Sequence, residues 1–117
     1  MNTIKIYHNP RCSKSRKTLE IITQHGHKPE VVQYLQTPPT TKELEHILTL
    51  LNIAPRDLMR KNETAYKDNN MSDATLSTAQ LIALMHKYPT VIERPIVVHN
   101  NKAVIGRPPE LVLEIIG

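Results

Sequence analysis

The only cysteine of the chain, Cys12, carries the side chain best suited to nucleophilic chemistry. It lies where a strand-like apolar segment gives way to a helix-like one, within Tyr7-His8-Asn9-Pro10-Arg11-Cys12-Ser13-Lys14-Ser15-Arg16. Backbone N–H groups in the first turn of a helix and nearby cations both stabilise a thiolate. Lowering a thiol pKa from about 8.5 to about 6.5 raises its ionised fraction at pH 7 from about 3% to roughly 75%. We therefore interpret Cys12 as a reactive thiol rather than a small buried hydrophobe, the commoner fate of a free cysteine.

The segments on either side of Cys12 predict a strand, a loop and a helix. Residues 4–8 alternate as a strand does, an asparagine and a proline interrupt the pattern, and a helix is expected from about residue 13 to residue 25. A second strand is predicted at residues 30–35. Because it follows a helix, we expect a right-handed crossover with the two strands parallel.

The middle of the chain is rich in helix signals. Thr40 with Glu43 and Ser77 with Gln80 have capping-box spacing, and each pair precedes apolar residues at helical intervals. The predicted inner faces are Leu44, Ile47, Leu48 and Leu51 in the first helix and Leu81, Leu84, Met85 and Tyr88 in the second. A short helix is predicted at residues 55–60, and the polar residues 61–73 are predicted to be irregular.

The last part of the chain predicts a β-hairpin followed by a helix. Strands are expected at residues 95–99 and 102–105, joined by two asparagines that tolerate positive φ. A proline and a glutamate at residues 109–110 open the last helix. The order β-α-β, helices, β-β-α is that of an α/β thioredoxin-like fold with a mixed four-stranded sheet. We expect a single domain over residues 1–117, with a helical insertion at about residues 40–90.

Composition narrows the function classes. The formal net charge of +4 favours anionic partners, but Lys and Arg are scattered, Trp and Phe are absent and the four tyrosines are widely spaced, so nucleic acid is disfavoured. No apolar run approaches the roughly 20 residues that span a bilayer, and no secretory segment opens the chain. One cysteine fits a reducing compartment. We therefore expect a cytoplasmic protein that binds no membrane.

Five segments, spread along the whole chain, together resemble a known family. They are Tyr7-His8-Asn9-Pro10-Arg11-Cys12, Tyr34-Leu35-Gln36-Thr37-Pro38-Pro39, Leu58-Met59-Arg60-Lys61-Asn62, Glu93-Arg94-Pro95-Ile96-Val97-Val98 and Gly106-Arg107-Pro108-Pro109-Glu110. The chain resembles the glutaredoxin-coupled arsenate reductases, often called the ArsC family. The resemblance implies an enzyme that reduces arsenate to arsenite through a covalent adduct on the cysteine.

The resemblance also implies roles for individual residues. Cys12 matches the nucleophile, Ser15 a hydroxyl beside the thiolate, His8 a histidine near the site, and Pro95 the cis-proline opposite the reactive cysteine. Three arginines match the oxyanion pocket of the family: Arg60, Arg94 and Arg107. Arginine suits this role because its planar guanidinium binds tetrahedral oxyanions through two parallel hydrogen bonds.

Simpler structural roles stay open for several of these residues. The alternative for Arg60, near a helix C-terminus, is that it only complements the helix dipole, and the alternative for Arg94 is a surface ion pair with Glu93 alone. Ser15 also satisfies backbone N–H groups of the first helical turn. Arg107 is the arginine that the sequence singles out best, because loop residues at strand ends often carry function.

The cysteine count limits how electrons reach the substrate. Reducing As(V) to As(III) takes two electrons, and one cysteine forms no intrachain disulfide. In line with the family, we expect glutathione as co-substrate, glutaredoxin as partner protein and no bound cofactor. No metal is expected either, because the remaining histidines lack the spacing of metal ligands: His25, His27, His46, His86 and His99.

Two other functions remain open. In the first, the chain is a glutathione-dependent thiol-redox enzyme that acts on another substrate, with glutathione carboxylates in the arginine pocket. In the second, it is a non-enzymatic regulator similar to the Spx proteins, which bind RNA polymerase and often carry a Cys-x-x-Cys switch. Ser15 stands at the fourth position of that motif, so the switch is absent here.

Overall fold

The computed structural model describes residues 3–116 of the chain, which form two compact units. The first unit holds the described residues up to Thr37 together with those from Arg94 onward. The second unit is Pro38–Glu93, and the helical insertion expected at about residues 40–90 falls inside it.

The first unit is built on a mixed four-stranded sheet. Its strands are β1 (Lys5–His8), β2 (Glu30–Gln33), β3 (Ile96–His99) and β4 (Lys102–Ile105). They lie in the order β2-β1-β3-β4, with β1 parallel to β2 and β3 antiparallel to both β1 and β4. The predicted α/β fold of thioredoxin-like topology is therefore confirmed. Because β1 and β2 are parallel, their carboxyl ends meet at one edge of the sheet, and the chain continues from β1 to Cys12 at that edge.

Helix α1 (Ser13–Gln24) follows Cys12, and α5 (Leu113–Ile116) closes the described chain. The predicted last helix begins as a 3-10 helix, Pro109–Val112, and only its last turn is α-helical. Helix α1 and the C-terminal helical segment, 109–116, pack with the sheet around one apolar core. Its buried members are Ile4, Ile6, Ile21, Ile22, Val97, Val112 and Ile116.

The hairpin between β3 and β4 forms as predicted. Asn100 and Asn101 have φ angles of 50° and 59°. Two consecutive residues at positive φ give the backbone twist that a two-residue hairpin loop needs, and asparagine tolerates this region better than most residues.

The second unit is helical. It contains α2 (Thr41–Leu51), α3 (Thr64–Asp68) and α4 (Thr78–Lys87), with 3-10 helices at Pro55–Leu58 and Pro89–Val91. Both predicted capping boxes are present, at Thr40 with Glu43 and at Ser77 with Gln80. No helix within residues 3–116 is long and apolar enough to cross a membrane.

The prediction that residues 61–73 are irregular is wrong. They contain α3, and the Tyr66 side chain is buried. The Arg56 guanidinium donates hydrogen bonds of 2.6 Å each to the carbonyls of Met71 and Asp73, which fixes the chain after the helix. The helix predicted at residues 55–60 is also shorter, a 3-10 turn that ends at Leu58. In α4, Ile82 is buried and Leu84 only partly so, and Tyr88, predicted as part of the inner face, is the partly buried residue that ends the helix.

Candidate active site

A tight turn at the carboxyl end of β1 positions Cys12. The Cys12 N–H donates to the Asn9 carbonyl over 3.0 Å, and the Arg11 N–H donates to the Asn9 side-chain oxygen, also over 3.0 Å. The Asn9 N–H in turn donates to Ser15 Oγ over 3.0 Å. Asn9 is buried, and its three bonds hold the turn against the first turn of α1. Cys12 thereby becomes the N-cap residue of α1, with extended backbone angles and a partly exposed side chain.

The environment of Cys12 favours the thiolate. Burial is the largest single influence and raises the pKa of the thiol, but the N–H of Ser15, the guanidinium of Arg94 and the N–H of Lys14 together outweigh it. The net result is a lowered pKa for Cys12. Both N–H groups lie in the first turn of α1, where they act on the thiolate as hydrogen-bond donors.

Arg107 reaches the same sulfur from the loop after β4. Its Nη1 lies 4.0 Å from Cys12 Sγ and donates a 3.0 Å hydrogen bond to the Arg94 carbonyl. This second bond ties the loop after β4 to the segment that leads into β3. Arg94 and Arg107 are both partly exposed, so the thiol lies beside two guanidinium groups that solvent reaches.

Gly106 allows this close approach. The residue is buried, and a Cβ built on it would lie 2.5 Å from Thr18 Oγ1 and 2.8 Å from Pro95 Cγ. Only glycine therefore fits between α1 and Pro95 without displacement. The Gly106 N–H also donates to the Pro95 carbonyl over 2.9 Å, and the Arg94–Pro95 peptide bond is cis.

Ser15 and His8 form a buried pair beneath the turn. Ser15 Oγ lies 2.6 Å from His8 Nδ1 and accepts the bond from Asn9 described above. Burial, and then the charge of Arg16, lower the pKa of His8, which favours its neutral form. The hydroxyl of Ser15 thus contacts the histidine, while its backbone N–H is the group that acts on the thiol.

Arg60 belongs to the second unit and has a different environment. Its Nη1 lies 2.5 Å from a Glu93 carboxylate oxygen, and its Nε lies 3.5 Å from Glu63. Burial alone would lower the pKa of Arg60, but these two carboxylates raise it. Arg60 is thus held by two acidic side chains. One of them is Glu93, the carboxylate that the sequence suggested as an ion-pair partner for Arg94.

The structure brings six of the seven sequence-predicted residues together around one turn of the first unit. They are His8, Cys12, Ser15, Arg94, Pro95 and Arg107. Sequence reasoning did not assign a role to Asn9 or Thr18, and it treated Gly106 only as part of a motif. The sequence hint for Asn9 was its place before Pro10 at the end of a strand, since such residues often build turns.

Comparison with known proteins gives a consistent result. The family model described as the ArsC family matches residues 7–115. The chain is 53% identical to the uncharacterized protein YfgD of Escherichia coli (strain K12), over 97% of each chain. It is 44% identical to a protein named arsenate reductase from Haemophilus influenzae, over 97% of this chain and 99% of that one.

A solved structure agrees with these relatives. An arsenate reductase from Vibrio cholerae superposes with a TM-score of 0.94 at 47% sequence identity. The match covers 97% of this chain and 98% of the other. The likeness therefore extends over nearly the whole of both chains, and the family match at residues 7–115 includes every residue described around Cys12.

Proposed function

The chain belongs to the ArsC family, and from this premise we propose that it reduces arsenate to arsenite through a covalent adduct on Cys12. One observation carries the proposal: the Cys12 thiol has a lowered pKa and lies beside the guanidinium groups of Arg94 and Arg107. A thiolate attacks an anion only where positive charge offsets their repulsion. Each charge-assisted hydrogen bond contributes about 1.5 to 3 kcal/mol, so a pair of guanidinium groups meets this need.

In the first step, the Cys12 thiolate attacks the arsenic of arsenate. A sulfur–arsenic bond forms, one arsenic–oxygen bond breaks, and the oxygen leaves as water after protonation. Arsenic remains As(V) in the adduct. Arg94 and Arg107 hold the oxyanion through bidentate hydrogen bonds, and Arg60 is the third arginine that the family resemblance assigns to this task.

In the second step, glutathione supplies the electrons. Its thiolate attacks the Cys12 sulfur, a disulfide forms, and the pair of electrons from the sulfur–arsenic bond stays on arsenic, which leaves as arsenite. Glutaredoxin then resolves the Cys12–glutathione disulfide and restores the thiol. Because this chain has a single cysteine, both donors are external, which fits a cytoplasmic protein supplied by the glutathione pool.

A coupled assay tests the proposal. Arsenate-dependent oxidation of NADPH is measured with glutathione, glutathione reductase and glutaredoxin. The wild-type chain should support turnover, and Cys12→Ser should abolish it. Cys12→Ser replaces one atom of a partly exposed side chain, so circular dichroism should show an unchanged fold. Equal turnover by the two proteins would contradict the proposal.

Mass spectrometry separates arsenate reduction from other thiol chemistry. Treatment with arsenate and glutathione should give a Cys12–glutathione disulfide that neither reagent gives alone, because As(V) is the oxidant that its formation needs. Turnover of a glutathionylated substrate, without any arsenate-dependent adduct, would instead support the glutathione-dependent thiol-redox enzyme and remove the reductase.

A further inference from the structure

A cavity of about 230 Å³ opens at the carboxyl ends of β1 and β2, beside the turn that carries Cys12. One wall is the turn itself, through Pro10 and Arg11, and the other is the segment that follows β2, through Gln33, Leu35 and Gln36. The mechanism proposed above uses none of these five side chains. The cavity and Cys12 nevertheless share the same short turn, whose backbone is fixed by Asn9.

The side chains around the cavity are free to bind a ligand. Arg11 is exposed, and within residues 3–116 its guanidinium makes no hydrogen bond or ion pair. The same holds for the side-chain amides of Gln33 and Gln36 in this part of the chain. Leu35 is 41% exposed, so its side chain is accessible to a ligand in the cavity.

The charge around the cavity selects for anions. None of the described residues that line it is acidic, and Arg11 contributes a full positive charge. Arg16, which donates a 2.9 Å hydrogen bond to the Pro10 carbonyl, adds a second positive charge behind the turn. Free side-chain amides offer donors and acceptors that match a peptide group, and Leu35 offers an apolar contact.

The geometry points to a binding subsite for an anionic peptide thiol, with a carboxylate of the ligand on Arg11 and its peptide groups on Gln33 and Gln36. The volume supports a small ligand, because 230 Å³ lies below the roughly 300 Å³ at which pockets for drug-sized molecules begin. One end of a short peptide fills it. Glutathione, which carries two carboxylates and two amide groups, has the chemistry that the subsite recognises.

This assignment rests on the proposed function in one respect, because it gives the thiol donor of that reaction a place to bind. The subsite also works without arsenate, in exchange between Cys12 and a glutathione disulfide. There the Cys12 thiolate attacks one sulfur, the disulfide bond breaks, a Cys12–glutathione bond forms, and the second glutathione leaves as a thiolate with the electron pair. Cys12 is oxidised and one glutathione is reduced, so no further reagent is needed.

Exchange kinetics test the subsite directly. The rate of Cys12 with anionic glutathione disulfide is divided by its rate with uncharged hydroxyethyl disulfide, both at one pH. Arg11→Ala should lower this ratio about three- to tenfold, because it removes the carboxylate partner. Arg11→Glu should lower it further and raise the rate with cystamine, a cationic disulfide. The ratio cancels changes in the reactivity of the thiol itself, since both disulfides meet the same thiolate.

Lys28→Ala is the matched control. Lys28 is an exposed cation that precedes β2 at the other end of the sheet, so this variant should keep the wild-type ratio. A ratio that stays unchanged in both Arg11 variants would overturn the subsite. A ratio that falls equally in Lys28→Ala would also overturn it, because general attraction by net charge would then explain the preference.

A binding experiment locates the ligand. Unreactive S-methylglutathione is titrated into ¹⁵N-labelled Cys12→Ser protein, and amide resonances of Arg11, Leu35 and Gln36 should shift. Shifts confined to other residues would overturn the assignment. Neither experiment contains arsenate, so failure of the coupled assay with these results intact removes only the proposed function. If the chain turns over arsenate but the Arg11 variants keep the wild-type ratio of the two disulfide-exchange rates, only the subsite proposal is wrong.

Discussion

Arg107 and Arg60 are both partly buried arginines, and one contacts the reactive thiol while the other contacts two carboxylates. Arg107 donates to the neutral Arg94 carbonyl over 3.0 Å and lies 4.0 Å from the Cys12 sulfur. Arg60 instead lies against the carboxylates of Glu93 and Glu63. The carboxylates beside Arg60 offset the charge of its guanidinium and compete with any anion that approaches.

The family resemblance assigns one function, oxyanion binding, to all three arginines, but the contacts of Arg60 differ from those of Arg107. Arg107 lies beside the thiol, where the proposed reaction requires positive charge. The arginine of the second unit holds together segments of its own unit, because Glu63 lies three residues away while Glu93 lies far along the chain. If Arg60 also binds substrate, it has to exchange a carboxylate for the oxyanion.

The largest effect is expected from removing Arg107. Arg107→Ala should lower kcat/KM for arsenate roughly 100-fold, which corresponds to about 2.7 kcal/mol of transition-state stabilisation. Arg107→Lys should recover only part of the loss, because an ammonium group lacks the planar pair of donors. Steady-state kinetics in the coupled assay measure both variants. If Arg107→Ala kept activity within twofold of wild type, Arg107 would have a structural role rather than a role in substrate binding.

Gly106 sets the position of Arg107 and gives the next largest effect. In Gly106→Ala the new Cβ meets Thr18 and Pro95 at 2.5 and 2.8 Å, so the free energy of unfolding should fall by about 1–3 kcal/mol and kcat/KM should fall as the loop moves. Gly26→Ala is the control. Gly26 has a φ of 83° and open space around it, so alanine there should cost about 1 kcal/mol of stability and leave kcat/KM unchanged. Urea unfolding and the coupled assay separate the two outcomes.

The residues around Cys12 also show how far sequence reasoning reaches. Capping boxes at Thr40 and Ser77 and the Asn100-Asn101 turn were predictable, because each depends on residues within four positions of one another. The N-cap position of Cys12 was predictable for the same reason.

Several side-chain contacts between distant residues were not predictable, although the order of the sheet strands was. Helix α3 was missed because five residues are too few to show helical periodicity, and bonds from Arg56 to distant carbonyls fix the chain beside it. The ion pair of Arg60 with Glu93 spans 33 positions, and the contact of Arg107 with Cys12 spans 95. Only the family resemblance linked the arginines to the thiol, and it did not reveal that Arg60 forms ion pairs with two carboxylates.

The pKa of Cys12 tests whether Arg94, like Arg107, has a role at the thiol. Alkylation by iodoacetamide as a function of pH should give a wild-type thiol pKa below the ordinary value, and Arg94→Ala should raise it, because both a hydrogen bond and a positive charge are lost. Lys28→Ala should leave the pKa unchanged. An unchanged pKa in Arg94→Ala would show that the backbone N–H groups of Ser15 and Lys14 stabilise the thiolate alone.

The same pKa shift predicts a pH-dependent stability. Because the folded-state pKa of Cys12 lies below the unfolded-state value, the thiolate contribution is complete above the unfolded pKa and is lost as pH falls through the folded pKa. Urea unfolding between these limits should show stability that rises with pH in the wild type. Cys12→Ser should remove that part of the slope, and parallel curves for the two proteins would contradict the lowered pKa.

The smallest effect is expected from a substitution of Glu93. It tests whether Arg60 binds arsenate or only stabilises its own unit. Glu93→Gln weakens an ion pair whose members are each about a quarter exposed, so the free energy of unfolding should fall by about 1 kcal/mol. If Arg60 binds arsenate, KM for arsenate should also fall about two- to fivefold, because a competing carboxylate is gone. Glu20→Gln makes the same change of charge at an exposed pair with Lys17 and should alter neither quantity. A loss of stability with KM unchanged would mean that Arg60 serves the packing of its own unit, leaving Arg94 and Arg107 as the arginines that hold the oxyanion.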